Sequence, residues 1–270
     1  MSATPSTSPV VADTGPSWIG QMVRSYGPPA LVLVVIFGAW ALIISWFNIQ
    51  EYVFPAPGAV VQALIDKPEI IFEDAKLTAL EAIYGYVLGS AVGIALGVLF
   101  AYSRFCSRSF LPLVIASNAI PIIAVAPILL LVLGEGMRSK VAVTAFLCFF
   151  PVCINSMKGL RSTPVQYVEL MHVQAASVWQ GFVKVRVPSS LPFVFVGLKI
   201  GATFAVIAAI VAEFVAAQAG LGNVMVQANY SLNMPDLFAA TAMAMLLGIV
   251  FYLLVTITER LVIPWHQSTL

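Results

Sequence analysis

The residues of this chain that could do chemistry are few, and one polar stretch is the largest basic surface it offers. From Met157 to Pro192 it reads MKGLRSTPVQYVELMHVQAASVWQGFVKVRVPSSLP, with Lys158, Arg161, Lys184 and Arg186 set against a single acid, Glu169. No catalytic set accompanies these charges. His172 and His266, the only histidines, stand far apart, and Cys106, Cys148 and Cys153 form neither a CxxC pair nor a metal-ligand spacing. Two of the three cysteines fall in one apolar run, where a free thiol behaves as a small hydrophobe. HExxH, a Ser–His arrangement and G-x-x-x-x-G-K-[ST] are all missing, so ATP hydrolysis on a Walker A loop is excluded as this chain's own chemistry, and no cluster supports metal hydrolysis or acyl transfer. The GxG at Gly220 and Gly222 follows no strand and reads as a tight turn.

The elements that must position the polar stretch are oily. Of 270 residues 60% are hydrophobic and only 9% charged, with a mean hydropathy of +0.98. A soluble protein would carry about 25% charged residues, so the chain reads as an all-α polytopic membrane protein of about six transmembrane helices. Its net charge of +1 gives no reason to expect nucleic acid. Residues 1–29 are rich in Ser, Thr, Pro and Gly; they read as a largely disordered tail, with a short interfacial helix over Ser17–Tyr26 and no signal-peptide pattern. Residues 30–76 hold the first span and an outer amphipathic segment around 59–65, residues 77–258 the permeation core, and residues 259–270 a terminal tail. Within the core, spans are expected at 77–102, 111–133, 141–155, 194–217 and 237–258.

Several polar side chains fall inside these spans. Gly85, Gly89, Gly93 and Gly97 repeat every fourth residue, lining one helix face that lets a second backbone approach. Glu81 lies one turn before that stripe, either facing water at the membrane edge or serving a site. In SNAIPIIAVAP, Pro121 and Pro127 each delete a helical hydrogen bond just after Ser117 and Asn118. A broken, polar helix survives in lipid where protein or a watery cavity satisfies its backbone. Ser117, Asn118 and Pro121 are therefore candidate pathway residues, or mark a packing kink. Thr203 and Glu213, in the fifth span, join Glu81 as further pathway candidates.

Charge asymmetry sets the orientation. With an even number of spans, both termini share a side with 103–110 and 157–192. That side holds Arg24, Arg104, Arg108, Lys158, Arg161, Lys184, Arg186 and Arg260, against Lys67, Lys76, Arg138 and Lys140 on the other. The excess places both termini and the long loop in the cytoplasm of a cell whose plasma (inner) membrane the chain crosses.

The long loop also resembles a known motif. Permease subunits of ABC importers carry Glu-Ala-Ala, three residues, Gly, nine residues, then Ile-x-Leu-Pro. Glu169, Leu170 and Met171 stand at the first three places, Ala175 at the Gly place, and Val185, Val187 and Pro188 at the closing ones, without a gap. The flanking ASVWQ, the block VAEFVAAQAGLGNVMVQA and the ending ER…PW are similar to the nitrate/sulfonate/taurine-type branch; the likeness covers roughly 54–266. Locally the loop reads as a helix from Pro164, a tight turn at Ala175 and Ala176, and a second helix from Trp179 to Val187 ended by Pro188.

The resemblance implies a type I-like ABC importer permease whose loop 157–192, between the fourth and fifth spans, carries the coupling helices. Glu169, Leu170, Met171, Ala175, Ala176, Trp179, Val185, Val187 and Pro188 would face a dimer of cytosolic ATPases, which binds the ATP and magnesium that this chain does not. A second permease copy and an extracytoplasmic substrate-binding protein complete the implied assembly. An amphipathic loop resting on anionic lipid is the plainer alternative for Lys184 and Arg186. An ion-coupled transporter using Glu81, Glu213 or Lys199 is the alternative function, and a membrane-embedded enzyme lacks any cluster to support it. Where many sulfonate- and nitrate-type members resemble one another in carrying Arg, this chain has Glu81. Loss of that positive charge tilts the substrate toward a pyrimidine-like vitamin precursor or riboflavin, with nitrate, sulfonate or taurine-type anions as the alternative.

Overall fold

A computed structural model describes residues 18–216 and 218–265; the expected tail up to residue 17 and the last five residues lie outside the described residues. All regular structure among the described residues is helical. The chain divides into two units, Met1–Pro57 and Gly58–Leu270.

The first unit is built on α1 (Trp18–Phe47), a single helix that runs through Pro28 and Pro29. The separate interfacial helix and the span expected from Ala30 are thus one element, since bilayer helices tolerate proline where the freed backbone finds other partners. It is long and apolar enough to cross a membrane over Gly27–Phe47. Asn48 ends it at φ 47°, and Trp40 Nε1 donates to the Pro55 carbonyl at 3.1 Å, pinning the chain that turns back.

The second unit opens with α2 (Pro57–Asp66), at the place of the expected amphipathic turns, and then α3 (Pro68–Tyr102). The expected start at 77 is late. Pro68 sits in the first turn, where its missing N–H costs nothing, so the acidic EIIFEDAKL stretch is helical too. At 1.5 Å per residue α3 is a rod of about 52 Å.

Gly85, Gly89, Gly93 and Gly97 all face α6 (Met137–Arg161), meeting Thr144, Ala145 and Cys148, Phe149 and Val152, and Cys153 and Ser156 in turn. Sequence numbers rise together along both helices, so α3 and α6 run parallel. The glycine stripe is a packing seam, and the backbones approach because no Cβ intervenes. Two parallel spans require one crossing between them, and α4 (Arg104–Ser117) with α5 (Ile122–Leu133) supplies it. These helices bend by 101° at residues 118–121. The break expected in the third span is therefore real, but Pro127 stays inside α5 and only the Pro121 corner interrupts the helix.

From α6 the chain passes α7 (Val165–Val173) and α8 (Val178–Gly181) into α9 (Val187–Ala216). α9 packs antiparallel on α6, with Gly159 against Ser190, Gly197 against Pro151 and Gly201 against Val152. α10 (Leu221–Tyr230) and α11 (Met234–Val262) follow, and α11 is antiparallel to α9, the two sharing a buried cluster of Phe195, Ala202, Val255 and Ile263. Among the described residues α1, α3, α6, α9 and α11 are long and apolar enough to cross a membrane, and the bent α4–α5 pair, counted as one span, brings the number to the six expected.

Candidate functional site

The polar loop folds into a preorganised hairpin of short helices. α7 ends where Ala175 adopts φ 52°, in the left-handed region that L residues other than glycine seldom occupy. The reversal is secured by the Ala175 N–H donating to the His172 carbonyl (3.0 Å) and the Ala176 N–H to the Met171 carbonyl (3.0 Å). Ser177 then caps α8. Its hydroxyl accepts from the Gln180 N–H at 3.2 Å, while the Gln180 side chain accepts from the Ser177 N–H at 2.9 Å.

Beyond α8 the expected stop at Pro188 does not occur. Phe182–Arg186 forms a π-helical turn, with the Val187 N–H donating back to the Phe182 carbonyl, and the helix continues without interruption into α9. The wider turn takes in Pro188, which has no N–H to give to the preceding turn. The fifth span is consequently one helical path from Val178 to Val215 rather than one beginning near Val194.

The hairpin has two faces. Val168, Met171, Ala176, Val185 and Arg186 turn inward around a cleft of about 150 Å³ against Tyr102, at the end of α3. Outward stand Glu169, Leu170, Val173 (84% exposed) and Trp179 (70%), while Val178 (86%) is exposed at the mouth of the cleft. So large an apolar set on a polar loop is the kind of patch that a partner covers. Val187 and Pro188 are half-buried at the base, while Ala175 lies at the exposed tip.

A second polar assembly lies at the far end of the bundle. The Gly220, Leu221 and Gly222 N–H groups opening α10 donate to Asp74 Oδ1 (2.6 Å), Thr78 Oγ1 (3.0 Å) and Glu213 Oε2 (2.6 Å). Thr78 Oγ1 is also 2.7 Å from Glu213 Oε1. Carboxylates at a helix N-terminus satisfy its orphan donors and suit its dipole. Gly220 is held at φ 106°, and a Cβ on either glycine would strike Glu213. Beside it Glu81, fully buried, binds Lys140 Nζ at 2.7 Å. Near the other end Lys199 and Glu259 form a second buried pair at 2.5 Å between α9 and α11.

The model of the family described as binding-protein-dependent transport system inner membrane component matches residues 89–265. The chain belongs to this family of ABC importer permeases. Similar relatives include the formylaminopyrimidine transport permease protein ThiX of Halalkalibacterium halodurans (35% identical over 250 residues; 92% of this chain, 100% of that one). The riboflavin transport system permease protein RibX of Chloroflexus aurantiacus is 32% identical over 245 residues (89% and 90%). The putative aliphatic sulfonates transport permease protein SsuC of Bacillus subtilis is 26% identical over 241 residues (88% and 87%). In fold the chain is similar to one in a structure described as inward-facing conformations of the MetNI methionine ABC transporter, with TM-score 0.64 and 18% identity over 72% of this chain and 96% of that one.

Within this ABC permease the candidate pathway residues do not form one site. Glu81 neither faces water nor lines a rim, being buried on Lys140. Glu213 uses both carboxylate oxygens within the α10 cap. Sequence reasoning missed Asp74, Thr78 and Lys140, whose partners are remote in the chain. The signal that could have found the cap is the E-to-GLG block itself: two glycines and an acid at fixed spacing. Ser117, its hydroxyl donating to the Val114 carbonyl at 2.8 Å, lines a groove between α3 and α4; Asn118 and Pro121 occupy the α4–α5 corner. Thr203 alone opens onto a large space, a groove of about 780 Å³ among α9, α10 and α11, which Phe214, Met225, Thr241 and Tyr252 also line.

Proposed function

We propose that this permease imports a small, uncharged nitrogen heterocycle, of the class of pyrimidine vitamin precursors or riboflavin, in an ATP-driven assembly. A cytosolic ATPase dimer, which holds the ATP and magnesium, docks on the loop centred on Glu169. A second permease copy completes the pathway, an extracytoplasmic binding protein delivers the ligand, and both termini lie in the cytoplasm. The observation that carries this reading is the exposed apolar set of Leu170, Val173 and Trp179 around Glu169, on a hairpin whose cleft side faces Tyr102.

Substrate class follows from the relatives and from charge. The relatives named for formylaminopyrimidine and riboflavin transport are 35% and 32% identical, the sulfonate one 26%. The groove beside Thr203 is lined by aromatic, aliphatic and hydroxyl side chains, with no charged one. Lys140 and Lys199, the cations inside the bundle, are both neutralised. An anion would find no unpaired buried cation among the described residues, which weighs against nitrate and sulfonate. The same pairing weighs against an ion-coupled transporter working through Glu81, Glu213 or Lys199.

Uptake into proteoliposomes containing the permease, its ATPase and its binding protein tests the reading. ATP-dependent accumulation of riboflavin or a formylaminopyrimidine, undiminished by excess nitrate or taurine, is expected. Accumulation of nitrate or taurine instead would overturn the substrate class, and uptake driven by an ion gradient without ATP would overturn the importer.

A further inference from the structure

The coupling hairpin meets the end of α3 at an aromatic side chain that the motif does not include. Tyr102 is the last residue of α3, and its side chain lines the hairpin cleft. The Arg186 guanidinium lies over its ring at 5.2 Å from the centroid, a cation–π contact. Phe182 meets the same ring edge-on at 5.6 Å. Phe182 in turn contacts Trp179 at 5.6 Å. An unbroken line of rings therefore leads from Trp179, exposed on the outward ridge, to the end of α3.

The other end of α3 holds a different element. Asp74 and Thr78 accept from the first N–H groups of α10, and Glu81 binds Lys140. Between these grips α3 is continuous helix, and its glycine seam keeps it close against α6. A rod gripped at both ends transmits displacement better than a chain of loops, because packed helices shift as units rather than deform. Along α9 the same signal would have to pass the π-helical turn at Phe182–Arg186, the most loosely wound part of the path.

We propose that Tyr102 is the positioning residue through which the coupling hairpin moves α3, and that α3 carries this movement to α10 on the opposite side of the membrane. The inference rests on the reading that an ATPase docks on the hairpin. Arg186 and Phe182 act as the jaws that hold the Tyr102 ring. The ring, not its hydroxyl, does the holding.

The test uses the complete complex in nanodiscs, with the native cysteines replaced and a single cysteine introduced as Gln227→Cys, an exposed position on α10. The rate of labelling by a maleimide is read with and without ATP plus vanadate, alongside ATP hydrolysis. With Tyr102 intact, nucleotide changes the labelling rate about fivefold or more, a usual size for coupling between sites. Tyr102→Phe keeps the ring and the full response. Tyr102→Leu, which keeps apolar bulk in case Tyr102→Ala does not assemble, binds the ATPase and hydrolyses ATP while the response falls to about one.

A full response in an assembled Tyr102→Leu complex would overturn the proposal. So would an unresponsive α10 in the parent complex, or an unresponsive Tyr102→Phe. Failure of any ATPase to join the parent chain would instead remove the docking reading on which the proposal stands, and the two failures are told apart by whether the complex forms.

Discussion

Replacing Gly89 by alanine adds one methyl group where the α3–α6 seam comes closest to opposing backbone. An ideal Cβ there would lie 2.5 Å from the Ala145 carbonyl oxygen and 3.0 Å from both the Ala145 Cα and the Cys148 Cβ. Ordinary contact begins near 3.4 Å, so relief by separation alone parts the helices by up to 0.9 Å, 3.4 less 2.5. The obstructing atoms are mainly backbone, which has no rotamer to change. Overpacking of this kind costs about 1–3 kcal/mol. Gly248→Ala is the control, since nothing lies within 4 Å of its Cβ position, and helix propensity there favours alanine by about 1 kcal/mol. Unfolding by SDS in mixed micelles, followed by circular dichroism, reads both variants. Equal stability of Gly89→Ala and the parent chain, or an equal loss in both variants, would refute the close-packed seam.

Two other substitutions probe the buried charges and the loop. Lys140→Met leaves the Glu81 carboxylate buried without its partner and should cost about 3–5 kcal/mol in the same unfolding assay, whereas Lys140→Met combined with Glu81→Leu recovers most of the loss. Ala175→Gly removes the left-handed strain of about 1–2 kcal/mol, partly offset by the freer unfolded chain, so the hairpin keeps or slightly raises its thermal stability; Ala175→Val lowers it and weakens co-purification of the ATPase.

The spans and the helical hairpin of the long loop were legible in the sequence because each is local. Runs of apolar residues define α1, α3, α6, α9 and α11, and the spacing from Glu169 to Pro188 survives every aliphatic exchange within it. Ala175 at the glycine place shows why that spacing carries information: the backbone turns left-handed there, and the residue type is secondary to the turn. What stayed hidden depends on distance. Glu81 and Lys140 lie 59 residues apart, Thr78 and Leu221 lie 143 apart, and no periodicity brings either pair together. Glu213 read as a pathway acid because an isolated carboxylate in a span suggests function, yet its partners, the Thr78 hydroxyl and the Gly222 N–H, are ones that sequence patterns do not display. Pro188 misled for the opposite reason. The rule that proline stops helices holds for α-helical turns, and the wider turn before it in this chain removes the conflict.

The measurement that tests the central claim most directly is purification of the tagged chain from membranes with its ATPase, comparing the parent with Glu169→Lys. Glu169 lies exposed on the hairpin beside the apolar ridge, so reversing its charge leaves the bundle intact. The account predicts a stoichiometric, ATP-hydrolysing partner with the parent chain, and its loss from a Glu169→Lys chain that still inserts and unfolds at the parent's midpoint. An ATPase retained at full stoichiometry and full coupling by Glu169→Lys would contradict it.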